Sequence, residues 1–464
     1  MIKFALALSA LAFAAPAFAQ PITPAEQAQI DALVTKALAD KRVPSASIAI
    51  VRGGKIVLAK AYGKASEAIP VARADLAYQI ASNSKQFTAA AMLLLEDDGK
   101  LDLDDKVAKY LPGISGGERI SLRQLLDHTS GLQDYWPQDY SFPAMATPTT
   151  PQGIVDHWAK KPLDFEPGTQ WQYSNTGYVV AGMIIEKVAG EPLLALLKRR
   201  IFTPLGMASV EDLDATSGSR FPQGYGRNAL GPVRAVTPAA PGWLYAAGEL
   251  SMTAADLAKW NIARIDRALL PKEDWEAQET TTKLIGGKDT GYGLGVAARI
   301  VSGRSIISHS GESVGFLSSN SVFPKERAAI VVMTNSWSGG AYSEISRGIA
   351  KIILPSPEDP VAAARTMRIR TLFDQLRSGA LDRKLLTANA NYYFTPTALA
   401  DFRNSLAPLG EPTGFAAEGE PQPRGGFVIQ GYKVTYPNQT LSVSSFTEPG
   451  STGRVEQFLV EPGD

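Results

Sequence analysis

Apolar positions recur at helical spacing after Thr23-Pro24, where Ile30, Leu33 and Leu38 form a stripe. The pattern predicts an amphipathic helix with Thr23 as its cap and Pro24 as its first residue. Two β-rich runs follow in "SASIAIVRGGKIVLAKAYG", split by Gly53-Gly54, a pair that permits the positive φ angles of a tight hairpin. At 78–101, "YQIASNSKQFTAAAMLLLEDDGKL" opens on short polar residues and then turns apolar at helical period. From about 100 to 290 turn signals alternate with helical patterns. Thr253 and Asp256 there resemble a capping box ahead of "AADLAKWNIARI". Alternation typical of strands returns in "YGLGVAARIV", "RSIISHS" and "AAIVVMTN", and a helical run spans 342–353. This order predicts one discontinuous antiparallel sheet flanked by helices, with a helical subdomain inserted into it.

"LPSPEDP", 354–360, holds three prolines and breaks every period. A catalytic-sized domain over 20–354, a linker over 355–360 and a separate α+β domain over 361–464 are therefore expected. In the last of these, "VAAARTMRIRTLFDQLRSG" and "TPTALADFRNSLAPLG" read as helices. "GGFVIQGYKVTY", "TLSVSSF" and "VEQFLVE" read as antiparallel strands.

Composition narrows the chemistry. Lys plus Arg and Asp plus Glu number 46 each among 464 residues, so nothing in the balance suits a polyanion, and nucleic acid is not an expected partner. The start, "MIKFALALSALAFAAPAFAQ", has an early cation at Lys3, an apolar run and Ala17-Phe18-Ala19. It reads as a cleavable secretory signal over 1–19. The run from Phe4 to Ala15 is shorter than the roughly 20 residues a spanning helix needs, so no stable membrane anchor is expected. The predicted location is periplasmic or secreted. Cysteine is absent, and the three histidines, His128, His157 and His309, are not at metal-ligand spacing, so neither metal nor cofactor is expected.

Ser82 and Lys85, three apart at a helix start, have neighbouring β-carbons and can meet. A serine hydroxyl needs a base, and lysine can be one where desolvation lowers its pKa. Alone, the pair also fits a capping serine beside a solvated lysine. A second element is Tyr173-Ser174-Asn175 ahead of an apolar helical stretch. Its phenol can relay a proton, and its amide can accept from a lysine while donating elsewhere. Tyr436-Pro437-Asn438 matches the same pattern inside a β-rich tail, where it reads as structural. A third element is His309-Ser310-Gly311 at a strand end, where Gly311 would let backbone approach a bound substrate closely.

Together these motifs resemble the serine β-lactamase and penicillin-binding-protein superfamily, in its class C β-lactamase-related branch with D-aminopeptidases, D,D-carboxypeptidases and family VIII esterases. His-x-Gly stands in place of Lys-Thr-Gly. The strings "SKQFTAAAMLLLEDDGKLDLDD", "LRQLLDHTSGL", "AAGELSMTAADLAKW" and "YGLGV" are similar to that family too, over about residues 25–354. The resemblance implies the β-lactamase/transpeptidase-like α/β (α+β) fold. It implies Ser82 as nucleophile, Lys85 and Tyr173 sharing its proton, Asn175 positioning Lys85 and substrate, and His309 at the cleft edge. The backbone N–H groups of Ser82 and Glu312 would form the oxyanion hole beside Gly311. The implied activity is an acyl-enzyme serine hydrolase acting on an ester, amide or D-amino-acid peptide bond. Its partner is a small-molecule or peptide substrate, peptidoglycan-derived ones included. A β-lactamase, a D-alanyl-D-alanine carboxypeptidase and a non-catalytic wall sensor are alternatives.

A neutral His309 lacks the charge that would hold a substrate carboxylate, and a Glu312 side chain facing the cleft would repel one. Neutral esters, amides or substrates with a free amine are therefore expected. "GESVG", 311–315, matches a Gly-x-Ser-x-Gly elbow, making Ser313 a rival nucleophile. No histidine follows it, however, and the next segment reads as a hairpin rather than a helix. His128 is expected as a buried, hydrogen-bonded histidine at a helix end, and His157 on the surface or in the core. Trp243 and Tyr245 would either line the cleft or pack. The C-terminal part is similar to small cone-shaped modules of NTF2-like or cystatin-like fold.

Overall fold

In the computed structural model, residues 21–136, 143–216, 218–301, 303–337, 339–354 and 360–463 are described. The expected signal over 1–19 and residues 355–359 of the proline-rich stretch lie outside them. The chain divides into two compact units, Met1–Pro355 and Ser356–Asp464.

Helix α1 (Pro24–Lys41) starts on a full capping box. Thr23 Oγ1 accepts the Glu26 N–H at 3.2 Å and Glu26 Oε2 accepts the Thr23 N–H at 2.8 Å, which satisfies two first-turn donors. Strands β1 (Ser45–Arg52) and β2 (Lys55–Gly63) join through Gly53 and Gly54, with φ of 59° and 76°. Both turn residues thus have the positive φ that matches the strands' twist. The inserted helical region holds α2 (Lys85–Asp97), α3 (Asn175–Ala189) and α4 (Ala254–Asp266). The chain then returns to the sheet with β3 (Ala297–Val301), β4 (Arg304–Ser313), β5 (Phe316–Phe323) and β6 (Ala328–Thr334), and closes with α5 (Ala341–Ile353). The six strands are antiparallel in the order β2-β1-β6-β5-β4-β3.

Strand alternation divides the interior into two cores. Ile48 and Ile50 of β1, with Ile330 and Val332 of β6, pack under α1 and α5. Ala49 and Val51, with Val331 and Met333, face the helical region. Covered on both faces, β6 is buried along its whole length, which is why it reads as an unbroken apolar run.

In the first unit the structure departs from the sequence reading in three places. "YGLGV" is loop, and β3 begins only at Ala297. A Cβ on Gly293 would lie 2.1 Å from the Gln278 carbonyl oxygen, and one on Gly295 2.7 Å from that of Lys85, so this loop packs backbone on backbone. The Thr253–Asp256 box is half formed. Thr253 Oγ1 accepts the Asp256 N–H, but the Asp256 carboxylate is taken by Ser209, whose own hydroxyl accepts the Thr253 N–H. A three-stranded sheet of Tyr78–Gln79, Leu250–Met252 and Glu211–Asp212 has no counterpart in the sequence pattern, because strands this short leave no period.

The second unit has its own core, in which α6 (Pro360–Ser378) contributes Ile369, Leu372, Phe373 and Leu376. After α7 (Pro396–Leu406) come four antiparallel strands in sequential order: β7 (Gly414–Arg424), β8 (Phe427–Thr435), β9 (Thr440–Thr447) and β10 (Val455–Pro462). Strand β7 escapes pattern reading because it carries Pro421 and Pro423 and shifts register between Glu418 and Gln422. An edge strand tolerates both. No helix among the described residues is long and apolar enough to cross a membrane.

Candidate active site

Ser82 sits in a single 3-10 turn, Ala81–Ser84, that runs straight into α2 at Lys85. Three residues make one turn of such a helix, so side chains three apart eclipse. Lys85 Nζ lies 3.1 Å from Ser82 Oγ, and it donates at 2.7 Å to both Asn175 Oδ1 and the Ala247 carbonyl. The lysine is 0% exposed, while Ser82 keeps some access to solvent. Burial pushes the Lys85 pKa from 10.5 down to about 7, against the opposing pull of the Asp134 carboxylate. The alternative of a solvated lysine is thereby excluded. Ala81, next to Ser82, has φ of 48° and is buried. This left-handed geometry costs a non-glycine residue about 1–2 kcal/mol.

Asn175 is the first residue of α3, and Ser174 caps that helix by accepting the Gly177 N–H. Its amide orientation is fixed from behind by Asp134. The Asn175 backbone N–H donates to Asp134 Oδ1 at 2.9 Å, and Nδ2 lies 3.1 Å from each carboxylate oxygen. A carboxylate only accepts, so Nδ2 must face Asp134 and Oδ1 must face Lys85. The Tyr173 hydroxyl is buried without a completed hydrogen bond. Burial raises its pKa well above the ordinary phenol value, opposed by the Ser82 hydroxyl. Its ring centroid is 4.9 Å from Lys85 Nζ.

The opposite wall is β4. His309 Nε2 lies 2.8 Å from Tyr292 Oη, and Nδ1 contacts the Ser310 carbonyl oxygen. Nδ1 therefore carries the proton and Nε2 accepts from the phenol. Burial, with the Lys85 charge behind it, lowers the His309 pKa to about 4, so the imidazole is neutral at pH 7. Gly311 is required by packing within the protein itself. A Cβ there would sit 2.0 Å from the Ile80 carbonyl oxygen and 2.4 Å from Ser318 Oγ. The glycine presses β4 against the turn that carries Ser82. Glu312 Oε1 accepts from Trp337 Nε1 at 2.6 Å. Ser313 is buried and donates to Gln79 Oε1 at 2.7 Å, at the end of a strand that turns back as β5. It is no elbow nucleophile.

Ser82, Asp134, Trp136, Gln172, Tyr173, His309, Ser310 and Glu312 line a cleft of about 400 Å³. Two acidic residues, Asp134 and Glu312, are among these lining residues, and no arginine or lysine is. Asp134, Trp136 and Gln172 have no motif to announce them, and Ser310 lies inside the third motif without a role of its own. Asp134 follows the family-like string "DHTSGL" by a few residues, and that proximity was the one available signal. Trp243 and Tyr245 are not lining residues. Trp243 is buried and donates from Nε1 to the Thr147 carbonyl oxygen, and the Tyr245 ring packs where Gly182 leaves no room for a Cβ. His128 is buried with φ of 66° and accepts the Ser174 N–H on Nδ1 at 3.1 Å. Its ring lies 4.1 Å from that of Tyr173, so it braces the phenol from behind. His157 is exposed beside Trp158. Among the described residues, no group of three or more His, Cys, Asp or Glu side chains could hold a metal ion.

Known proteins share this architecture. A penicillin-binding protein of Bacillus subtilis (strain 168) is 28% identical over 340 residues, 69% of this chain and 75% of that protein. A D-stereospecific amidohydrolase from Streptomyces sp. superposes with a TM-score of 0.61 at 30% identity, over 71% of this chain and 99% of that one. The D-amino acid amidase of Ochrobactrum anthropi SV3, solved with D-phenylalanine, gives a TM-score of 0.63 at 26% identity, over 71% and 99%. The family model described as Beta-lactamase matches residues 30–352, from α1 to the end of α5. By that match, this chain belongs to the Beta-lactamase family and is a serine hydrolase.

Proposed function

We propose that the protein is an exported hydrolase that opens ester or amide bonds of substrates bearing a free amine, D-amino-acid amides and short D-aminoacyl peptides above all, through an acyl-enzyme on Ser82. The observation that carries this reading is the buried Lys85 amine 3.1 Å from the Ser82 hydroxyl. Asn175 Oδ1 and the Ala247 carbonyl each accept one of its N–H groups. A neutral amine then turns its lone pair to Ser82 and can take the hydroxyl proton as Oγ attacks the substrate carbonyl. The Tyr173 phenol, kept protonated by burial, gives its proton to the departing amine or alkoxide and regains one from the Lys85 ammonium. Water then attacks the acyl carbon, and Ser82 leaves as the alcohol. The Ser82 and Glu312 backbone N–H groups are the proposed oxyanion donors.

The substrate class follows from charge. Asp134 and Glu312 line the same cleft as a neutral His309. That arrangement attracts an ammonium and repels the carboxylate of a penicillin or a D-alanyl terminus. The D-stereospecific amidohydrolase and the D-amino acid amidase among the similar structures support the choice of D-amino-acid amides. The test is intact-mass analysis and turnover of wild type and Ser82→Ala with D-phenylalanine amide, L-phenylalanine amide, a p-nitrophenyl ester and a penicillin. Expected are D-amide and ester turnover well above penicillin turnover, all lost in Ser82→Ala. Covalent adducts that persist in the alanine variant would overturn the nucleophile. Penicillin as the best substrate would overturn the specificity.

A further inference from the structure

We propose that the C-terminal unit binds a glycan in a pocket of about 570 Å³ between the helix Ala388–Tyr393 and β10, with Tyr392 and Tyr393 as stacking surfaces. Ten large apolar side chains are exposed among the described residues, and three of them, Tyr392 at 87%, Tyr393 at 54% and Leu459 at 38%, line this one pocket. Clustering of that kind marks a recognition surface rather than scattered surface residues.

The pocket is built rather than incidental. Asn389 lies one helical turn before both Tyr392 and Tyr393, so the amide and the rings share a face. Phe394, buried in the core, meets the Tyr393 ring edge-on at 5.2 Å and 85°, which fixes that wall. From β10 the pocket takes the consecutive residues Glu456, Gln457, Phe458 and Leu459, of which Phe458 is buried and forms the floor while Gln457 and Leu459 are exposed. Glu456 is tied at both oxygens, accepting from Thr387 Oγ1 and from Asn389 Nδ2 at 2.6 Å each.

This chemistry matches a sugar ring. Its C–H face suits an aromatic side chain, and its rim of hydroxyls suits a fixed carboxylate whose oxygens each keep a lone pair, beside carboxamides. A lipid chain would want a lining unbroken by Asn389, Glu456 and Gln457. An ammonium group would want a carboxylate not already engaged at both oxygens. The volume lies within the ordinary range of small-ligand sites.

This proposal is independent of the hydrolase reading. It is tested by calorimetric titration of the full chain with an N-acetylglucosamine tetramer and a β-linked glucose tetramer. Saturable binding of either is expected, and preference for the first would assign an amino-sugar polymer. Tyr392→Ala, a change at a surface position that leaves the core untouched, should weaken binding about tenfold, and Tyr393→Ala likewise. Ser82→Ala should bind as wild type does, and both tyrosine variants should keep full ester turnover. No saturable binding of either tetramer, or binding unchanged in both tyrosine variants, would overturn the proposal.

Discussion

At the scale of single residues, the proposed chemistry depends on Lys85 being buried yet held by fixed acceptors. With its pKa lowered to about 7, the amine is neutral above that pH and protonated below it. For a neutral ester, kcat/KM should therefore fall about tenfold per pH unit below that value and level off above it. His309, at about 4, should add no second limb near neutrality. Asp134 has two effects on this lysine: it orients the Asn175 amide, and its charge raises the lysine's pKa. In Asp134→Asn a second amide would face Asn175 Nδ2, and the supporting charge would be gone. The plateau should drop at least about tenfold, and the acid limb should move to lower pH. A residue that merely stabilised the fold would lower the plateau and leave the limb in place. Ser82, Lys85, Tyr173, Asn175 and His309 were legible because motifs record side chains that must recur in a fixed local frame. Asp134 was not, since its partner lies 41 positions away and nothing local links them.

At the scale of elements, the site depends on how closely β4 approaches the turn ahead of α2. Gly311→Ala would set a methyl group 2.0 Å from the Ile80 carbonyl, and neither strand nor turn can yield without moving Ser82. A loss of about 3 kcal/mol in urea denaturation is expected, with ester turnover falling alongside. Retention of both would show that the strand can slide. Ala81→Gly acts in the opposite sense on stability. Relief of the left-handed strain should raise the unfolding midpoint slightly. Turnover should drop, because the turn would lose its enforced direction. The hairpin at Gly53-Gly54 and the cap at Thr23 could be read directly, since both are set by residues adjacent in sequence. The loop "YGLGV" misled because its glycines serve contacts with Gln278 and Lys85, far away in the chain.

At the scale of the whole molecule, the two units have separate apolar interiors. Chain cut after residue 354 should consequently keep ester kcat/KM within about twofold, because among the described residues no lining residue of the cleft lies beyond Glu312. A tenfold loss would mean that the second unit supports the first. The amino-acid order by itself determined the periods, the caps, the candidate nucleophile and the types of group available to activate it. Those depend on spacing within a turn or two of backbone, and covalent geometry fixes such spacing. Only the folded chain decided that Lys85 would lose its water, that Asp134 would stand behind Asn175, and that the cleft would be acidic around a neutral imidazole. A pKa and an electrostatic field depend on the dielectric and on charges at short range in space, and those neighbours come from segments far apart in sequence.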